Sequence, residues 1–203
     1  MTTDHRTPTG RTHTQDLPGL GTLSIRPLDP VDDADTVHAW VNQERARFWG
    51  MVGHSRDQVR EIYAYVDSLT THHAYLALHD GTPVALFQTY QPEHDPLGAH
   101  YPVRPGDLGI HLLVAPAHGP VQPGHTGVLV GFFLDFVLSD PAVRRIVAEP
   151  DARNEKSIAR LLRSGFTLGP QVDLADKRAQ LVFLHREKAE LVRRSITTAG
   201  GRA

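Results

Sequence analysis

The run GDLGIHLLVAP, residues 106 to 116, sets His111 inside an otherwise apolar strand pattern, and VAEPDARNEKS ends a second apolar run on an acid, Asp151. Imidazole titrates near neutrality and can take a proton at cellular pH. A carboxylate can orient such a ring and stabilise its charged form. On residue type alone each position keeps a second reading. A histidine in an apolar strand also serves as a hydrogen-bonded core residue, and Asp151 also fits a turn leading into a helix.

Composition narrows the chemistry. The 203-residue chain has no cysteine, which removes disulfides, thiolate metal sites and a cysteine nucleophile together, and fits a reducing cytoplasm. Its 13 histidines are scattered, with no HExxH and no His/Asp cluster at ligand spacing, so no metal is expected. His72 and His73 are adjacent, and on a strand they point to opposite faces. A net charge of −2 gives no electrostatic footprint for nucleic acid or anionic lipid. The first residues lack the apolar core of a signal peptide, and no run approaches a membrane span.

The elements that must hold the two residues follow from periodicity. Residues 1 to 19 and 193 to 203 read as disordered tails around one domain, 20 to 192. GTLSIRPLD alternates as a strand, and the acids of DPVDDADTVHAWVN suit a helix start. Ser55 and Gln58 form a capping box ahead of Val59, Ile62, Tyr63, Val66 and Leu69 at helical spacing. Asp80-Gly81 joins two apolar runs as a hairpin. Residues 91 to 106 form a long loop holding four prolines. A strand over 107–115, a helix with Leu129, Phe132, Phe133, Phe136 and Val137 on one face, the strand RRIVAE, a helix capped by Asn154 and stopped by Gly165, and two closing strands complete the chain. The pattern then predicts a short helix over EKAELVRR. The order predicts an α/β mixed sheet with crossover connections. The strands on either side of the 124–139 helix are parallel neighbours, and ligands bind at the carboxyl ends of such strands. The loop before that helix, PGHTG, offers backbone N–H groups to an anion, although it matches neither G-x-G-x-x-G nor the Walker pattern. A plain strand-to-helix turn would look the same.

Three stretches together resemble a known family. WVNQERARFWG (40–50), DLGIHLLVAP and DPAVRRIVAEPDARNEKSIARLLRSGF are similar to segments of the GCN5-related N-acetyltransferase (GNAT) superfamily. More narrowly they resemble its siderophore acyltransferases of the aerobactin, mycobactin and desferrioxamine type. The resemblance covers most of residues 22 to 187. It implies a GNAT fold with splayed central parallel strands. It implies transfer of an acyl group from acetyl-CoA or succinyl-CoA to a small N-hydroxylated amine, giving a hydroxamate, with no metal, nucleic-acid or membrane partner and a cytoplasmic location. His111 and Asp151 are then the catalytic pair, Asp151 either orienting the ring or holding the substrate N–OH. Leu113, Val114, Gln122, Gly124, His125, Thr126, Gly127 and Asn154 are the acyl-CoA contacts. Val121–Thr126 departs from the family's Q/R-x-x-G-x-G/A phosphate loop at its first and last positions.

Trp40, Trp49 and Arg47 are the acceptor contacts, with the core as the other reading for both tryptophans. Glu149 reads as half of an ion pair with Arg153. A composition rich in Thr, Pro, Ala and Arg, common in high-GC genomes, puts N-hydroxycadaverine first among acceptors and N6-hydroxylysine second. The latter carries a carboxylate that would want Arg45, Arg47 or Arg104. Acetylation of an aminoglycoside or a protein N-terminus, and a non-catalytic acyl-CoA-binding module, are the alternatives.

Overall fold

A computed structural model describes residues 11–17, 19–116 and 125–200. The chain divides into two compact units, Met1–Thr89 with His111–Val121, and Tyr90–Ile110 with Gln122–Ala203. Eight strands follow the order β1-β2-β3-β4-β5-β6-β8-β7 along the sheet.

The first unit holds β1 (His13–Leu17), β2 (Gly21–Pro27), α1 (Ala34–Val41), a 3-10 turn (Glu44–Trp49), α2 (Arg56–Ser68), β3 (His72–His79) and most of β4 (Thr82–Tyr90), with the end of β5 (Asp107–Val114). β1 lies within the segment expected to be a tail. It pairs antiparallel with β2 from His13↔Ile25 to Leu17↔Gly21. Main-chain pairing holds this strand, and its own side chains give little apolar signal. The β3–β4 turn needs positive φ at both central positions, which Asp80 (46°) and Gly81 (78°) supply. The Asp80 carboxylate also accepts from the Thr22 N–H at 2.8 Å.

α2 opens with the expected capping box, its Ser55 and Gln58 side chains each bonding the other's backbone. From it Val59 and Tyr63 enter a core with Leu28, Val37, Trp40, Leu76, Leu86 and Leu113. The acids before α1 act differently from simple first-turn charges. Asp33 is buried, and Arg26 donates to both its oxygens at 2.7 Å.

The second unit carries the start of β5, then α3 (His125–Leu138), β6 (Arg145–Ala148), α4 (Glu155–Arg163), β7 (Thr167–Asp173), β8 (Arg178–His185) and α5 (Arg186–Gly200). The 91–106 loop is ordered in part by 3-10 turns at Pro92–His94 and Pro96–Ala99. β5 and β6 are parallel, as expected, over Asp107–Gly109 against Arg145–Val147. β8 then pairs antiparallel with both β6 and β7. The register slips between Leu168 and Gln171, where Pro170 has no N–H to give. The expected face of α3 is buried at Leu129, Phe132, Phe133, Phe136 and Val137.

α5 runs through the segment read as a C-terminal tail. Arg186 donates to the carbonyls of Leu138, Asp140 and Val143, closing the end of α3, and Arg193 donates to Asp135 at 2.8 Å. Those polar ties from α3 are invisible in the local pattern of 193–203.

Two features fix the start of β5. Arg145 makes a two-pronged bond to Asp107 (2.7 and 2.6 Å), and Asp107 also accepts from Tyr101 Oη and the Arg104 N–H, both at 3.0 Å. The Tyr90 ring packs flat against Gly109, where a Cβ would overlap it, and its hydroxyl donates to Glu149 at 2.7 Å. Gly109→Ala is therefore expected to lower stability by about 1–3 kcal/mol through overpacking, since the anchored ring cannot swing aside. Urea unfolding measures it, and an unchanged midpoint would show the ring to be free.

Candidate active site

In the first unit, β5 presents His111 and Leu113 on one face by strand alternation. Leu113 is buried in the core, so any part it takes in acyl-CoA binding is through its main chain. His111 is half-buried. Its Nδ1 lies 3.0 Å from Gln88 Oε1 on β4. Gln88 Nε2 donates to Tyr63 Oη at 3.4 Å, and Trp49 Nε1 donates to the same hydroxyl oxygen at 3.2 Å. The Trp49 ring stands edge-on to the imidazole at 6.1 Å between centroids, with the planes 76° apart. Burial pushes the Tyr63 phenol well above its usual range, so it stays neutral.

The expected acceptor contacts separate. Trp49 belongs to the His111 surroundings. Trp40 is 5% exposed and sits in the core, the second of its two readings. Arg47 is at the surface, 3.4 Å from Glu44 and 4.6 Å above the Phe48 ring. Arg45 ties the 3-10 turn to the end of β5 by donating to the Val114 carbonyl at 2.8 Å.

In the second unit, Asp151 follows β6 and is buried at 6% exposure. Its carboxylate accepts from the Arg153 N–H (2.8 Å), Nε (2.9 Å) and Nη2 (2.7 Å). Those bonds from Arg153 hold its pKa below the ordinary value of 3.8 against the opposing effect of burial. The carboxylate is a fixed negative charge at working pH. Glu149 accepts from Tyr90 Oη at 2.7 Å and from Lys177 Nζ at 3.4 Å, and Arg153 closes on Asp151. Arg153 was close enough in sequence to have been read with Asp151, since an acid two residues before a base in a turn often bonds its N–H.

Asn154 caps α4 by accepting from the Ser157 N–H at 3.2 Å. Thr126 and Gly127 lie in the first turn of α3, and among the described residues nothing lies within 4 Å of the place a Cβ would take at Gly127. Backbone N–H groups of a helix start suit an anion such as a pyrophosphate. Gln122 and Gly124 lie outside the described residues, as does the side chain of His125.

Gln88 and Tyr63 were missed as site residues. Gln88 is a polar residue within the apolar run PVALFQTY, the same signal that marked His111. Its contact with His111 spans 23 positions and cannot be read from spacing.

Residues 29–174 match the model of the acetyltransferase (GNAT) domain, and the chain belongs to that family. It is 31% identical over 168 residues to the N(6)-hydroxylysine O-acetyltransferase of Escherichia coli, covering 81% of this chain and 52% of that protein. It is 27% identical over 170 residues to the lysine N-acyltransferase MbtK of Mycobacterium sp. (strain MCS), covering 83% and 69%. The chain thus spans about half the length of the first of these relatives. An uncharacterized protein from Bacillus halodurans shares the fold, with a TM-score of 0.83 at 23% identity over 95% of this chain and 98% of that one. No helix among the described residues is long and apolar enough to cross a membrane.

The Asp151 geometry carries a pH dependence. Its folded pKa is lowered, so its contribution to stability is present above 3.8 and fades as pH falls through the folded value. Arg153 is largely exposed, and solvent screening keeps the effect modest. Wild type is expected to melt above Asp151→Asn at neutral pH, the gap narrowing as pH drops below 3.8. Thermal melts across that range check it, and a pH-independent gap would show that the charge is not what matters.

Proposed function

We propose that this protein is an acyl-CoA-dependent N-acyltransferase that converts a small N-hydroxylated amine into a hydroxamate in siderophore biosynthesis in the cytoplasm. One observation carries the reading beyond family membership: the only histidine on β5's central run has its Nδ1 edge engaged by an amide and its ring steadied by Trp49. That is how a general base is positioned.

In the proposed reaction the hydroxylamine nitrogen forms a C–N bond to the thioester carbonyl carbon. The nitrogen becomes positive as it does so, and His111 takes its proton. The C–S bond then breaks, and CoA leaves as a thiolate that takes up a proton. A hydroxylamine is less basic than a simple amine, so much of it is neutral before attack. The base is needed mainly as the tetrahedral intermediate collapses. Asp151 supplies a fixed negative charge that orients the imidazole or receives the substrate N–OH. The first turn of α3, with His125, Thr126 and Gly127, receives the CoA pyrophosphate together with Gln122 and Gly124. The main chain at Leu113 and Val114 and the Asn154 amide face the pantetheine arm.

For the acceptor we put N-hydroxycadaverine first. An amino-acid acceptor needs a cation for its carboxylate, and two of the arginines that could serve have other work: Arg45 bonds Val114 O, and Arg47 pairs with Glu44. The name of the Escherichia coli relative favours the second reading, N6-hydroxylysine. The donor is acetyl-CoA or succinyl-CoA.

A free-thiol assay offering both donors with N-hydroxycadaverine, cadaverine and N6-hydroxylysine tests the reading, with ferric colour separating a hydroxamate from an O-acyl product. Turnover is expected with an N-hydroxyamine and not with cadaverine. His111→Ala is expected to lower kcat by about 10²–10⁴-fold, the usual worth of a general base. A wild-type rate in that variant would remove His111 from the chemistry, and acyl-CoA binding without turnover would make the protein a sensor.

A further inference from the structure

We propose that the exposed cationic stripe of α4, formed by Lys156, Arg160 and Arg163, is a subsite for the 3′-phosphate of the acyl-CoA. The inference rests on the reading of acyl-CoA as the donor and deepens it, since that reading seats only the pyrophosphate and the pantetheine arm.

The donor's charge meets no fixed counterion where its pyrophosphate is placed. No Lys or Arg stands between Arg104 and Arg144, a span that holds β5 and all of α3. The N–H groups of a helix start hold a diphosphate by their dipoles. The 3′-phosphate of CoA is a separate monoester with about two negative charges at neutral pH, and Arg and Lys are the side chains that pair with such a group. Most other cations of the second unit are committed. Arg145 is bonded to Asp107, Arg153 to Asp151, Lys177 to Glu149 and Arg193 to Asp135.

α4 differs. Lys156, Arg160 and Arg163 are exposed, and among the described residues none of them makes an ion pair. With Glu155 and Ala159 they line an open depression of about 390 Å³, three cations against one carboxylate. Spacings of four and three residues make them neighbours on one helix face, where like charges repel and weaken the helix. The macrodipole accounts for the two arginines, which lie in the last turn. It opposes Lys156 in the first turn, where a cation is disfavoured. A bound dianion offsets both penalties.

The place suits the ligand. Ligands of a parallel strand pair sit at the carboxyl ends of its strands, and α4 begins there, following β6 with Asn154 as its cap. The proposed function turns the Asn154 amide to the pantetheine arm. At 1.5 Å per residue, Lys156 and Arg160 stand ~3 and ~9 Å further along the helix axis, within reach of the diphosphate and ribose that continue from the arm.

Calorimetric titration of the full-length chain with CoA and with 3′-dephospho-CoA tests this whatever the acyl group. CoA is expected to bind about 10-fold more tightly, in line with charge-assisted hydrogen bonds at an open surface. The gap should close as salt is raised from about 0.1 to about 1 M. Lys156→Ala and Arg160→Ala are each expected to weaken CoA about 3–10-fold and 3′-dephospho-CoA by less than about 2-fold, with no loss of thermal stability. Equal affinity of the wild type for the two ligands would overturn the proposal and leave the stripe to another anion. Equal weakening of both ligands in the variants would also overturn it, because the stripe would then act through the fold. Failure of the wild type to bind CoA at all would instead sink the donor reading itself.

Discussion

The buried bond between Arg145 and Asp107 holds the start of β5 to the start of β6. The parallel ladder there is three residue pairs long, Asp107↔Arg145 to Gly109↔Val147, which by itself specifies register weakly. A slip of one residue would turn the side chains of the slipped strand to its other face. Asp107, 8% exposed, receives two guanidinium bonds, a phenol and a backbone N–H. The phenol and the N–H come from its own loop, and the two guanidinium bonds tie it to β6 in this register. A buried ion pair adds little net stability over apolar residues of equal size, but removing one partner leaves a charge without water. The clamp therefore selects an arrangement more than it strengthens one. Within the same unit it leaves Gly109 with its bare surface against the Tyr90 ring.

Much of this was legible in the chain. Periodicity gave the capped helix α2, the apolar face of α3, the Asp80-Gly81 turn and the parallel pair of strands. A polar residue in an apolar strand marked His111, and the structure sets Trp49 edge-on to it. What stayed hidden has a common cause: it depends on partners far away in sequence. β1 is a strand because β2 offers it a main-chain edge, and HTQDL announces nothing of the kind. The last helix continues because Arg186 and Arg193 find acceptors on and just beyond α3. Trp40 and Trp49 are alike in local context, and only packing sends one into the core and leaves the other beside the imidazole.

The charged groups after β6 show why burial and function are hard to separate from sequence alone. Asp151 has the features of a turn residue, since it accepts its neighbour's N–H, and Asn154 N–H bonds its carbonyl at 2.8 Å. It also keeps its negative charge in a buried position, because Arg153 covers it. The two descriptions do not compete. A carboxylate built into a turn by three bonds keeps both its charge and its direction, so the turn that buries it is also what fixes where that charge points.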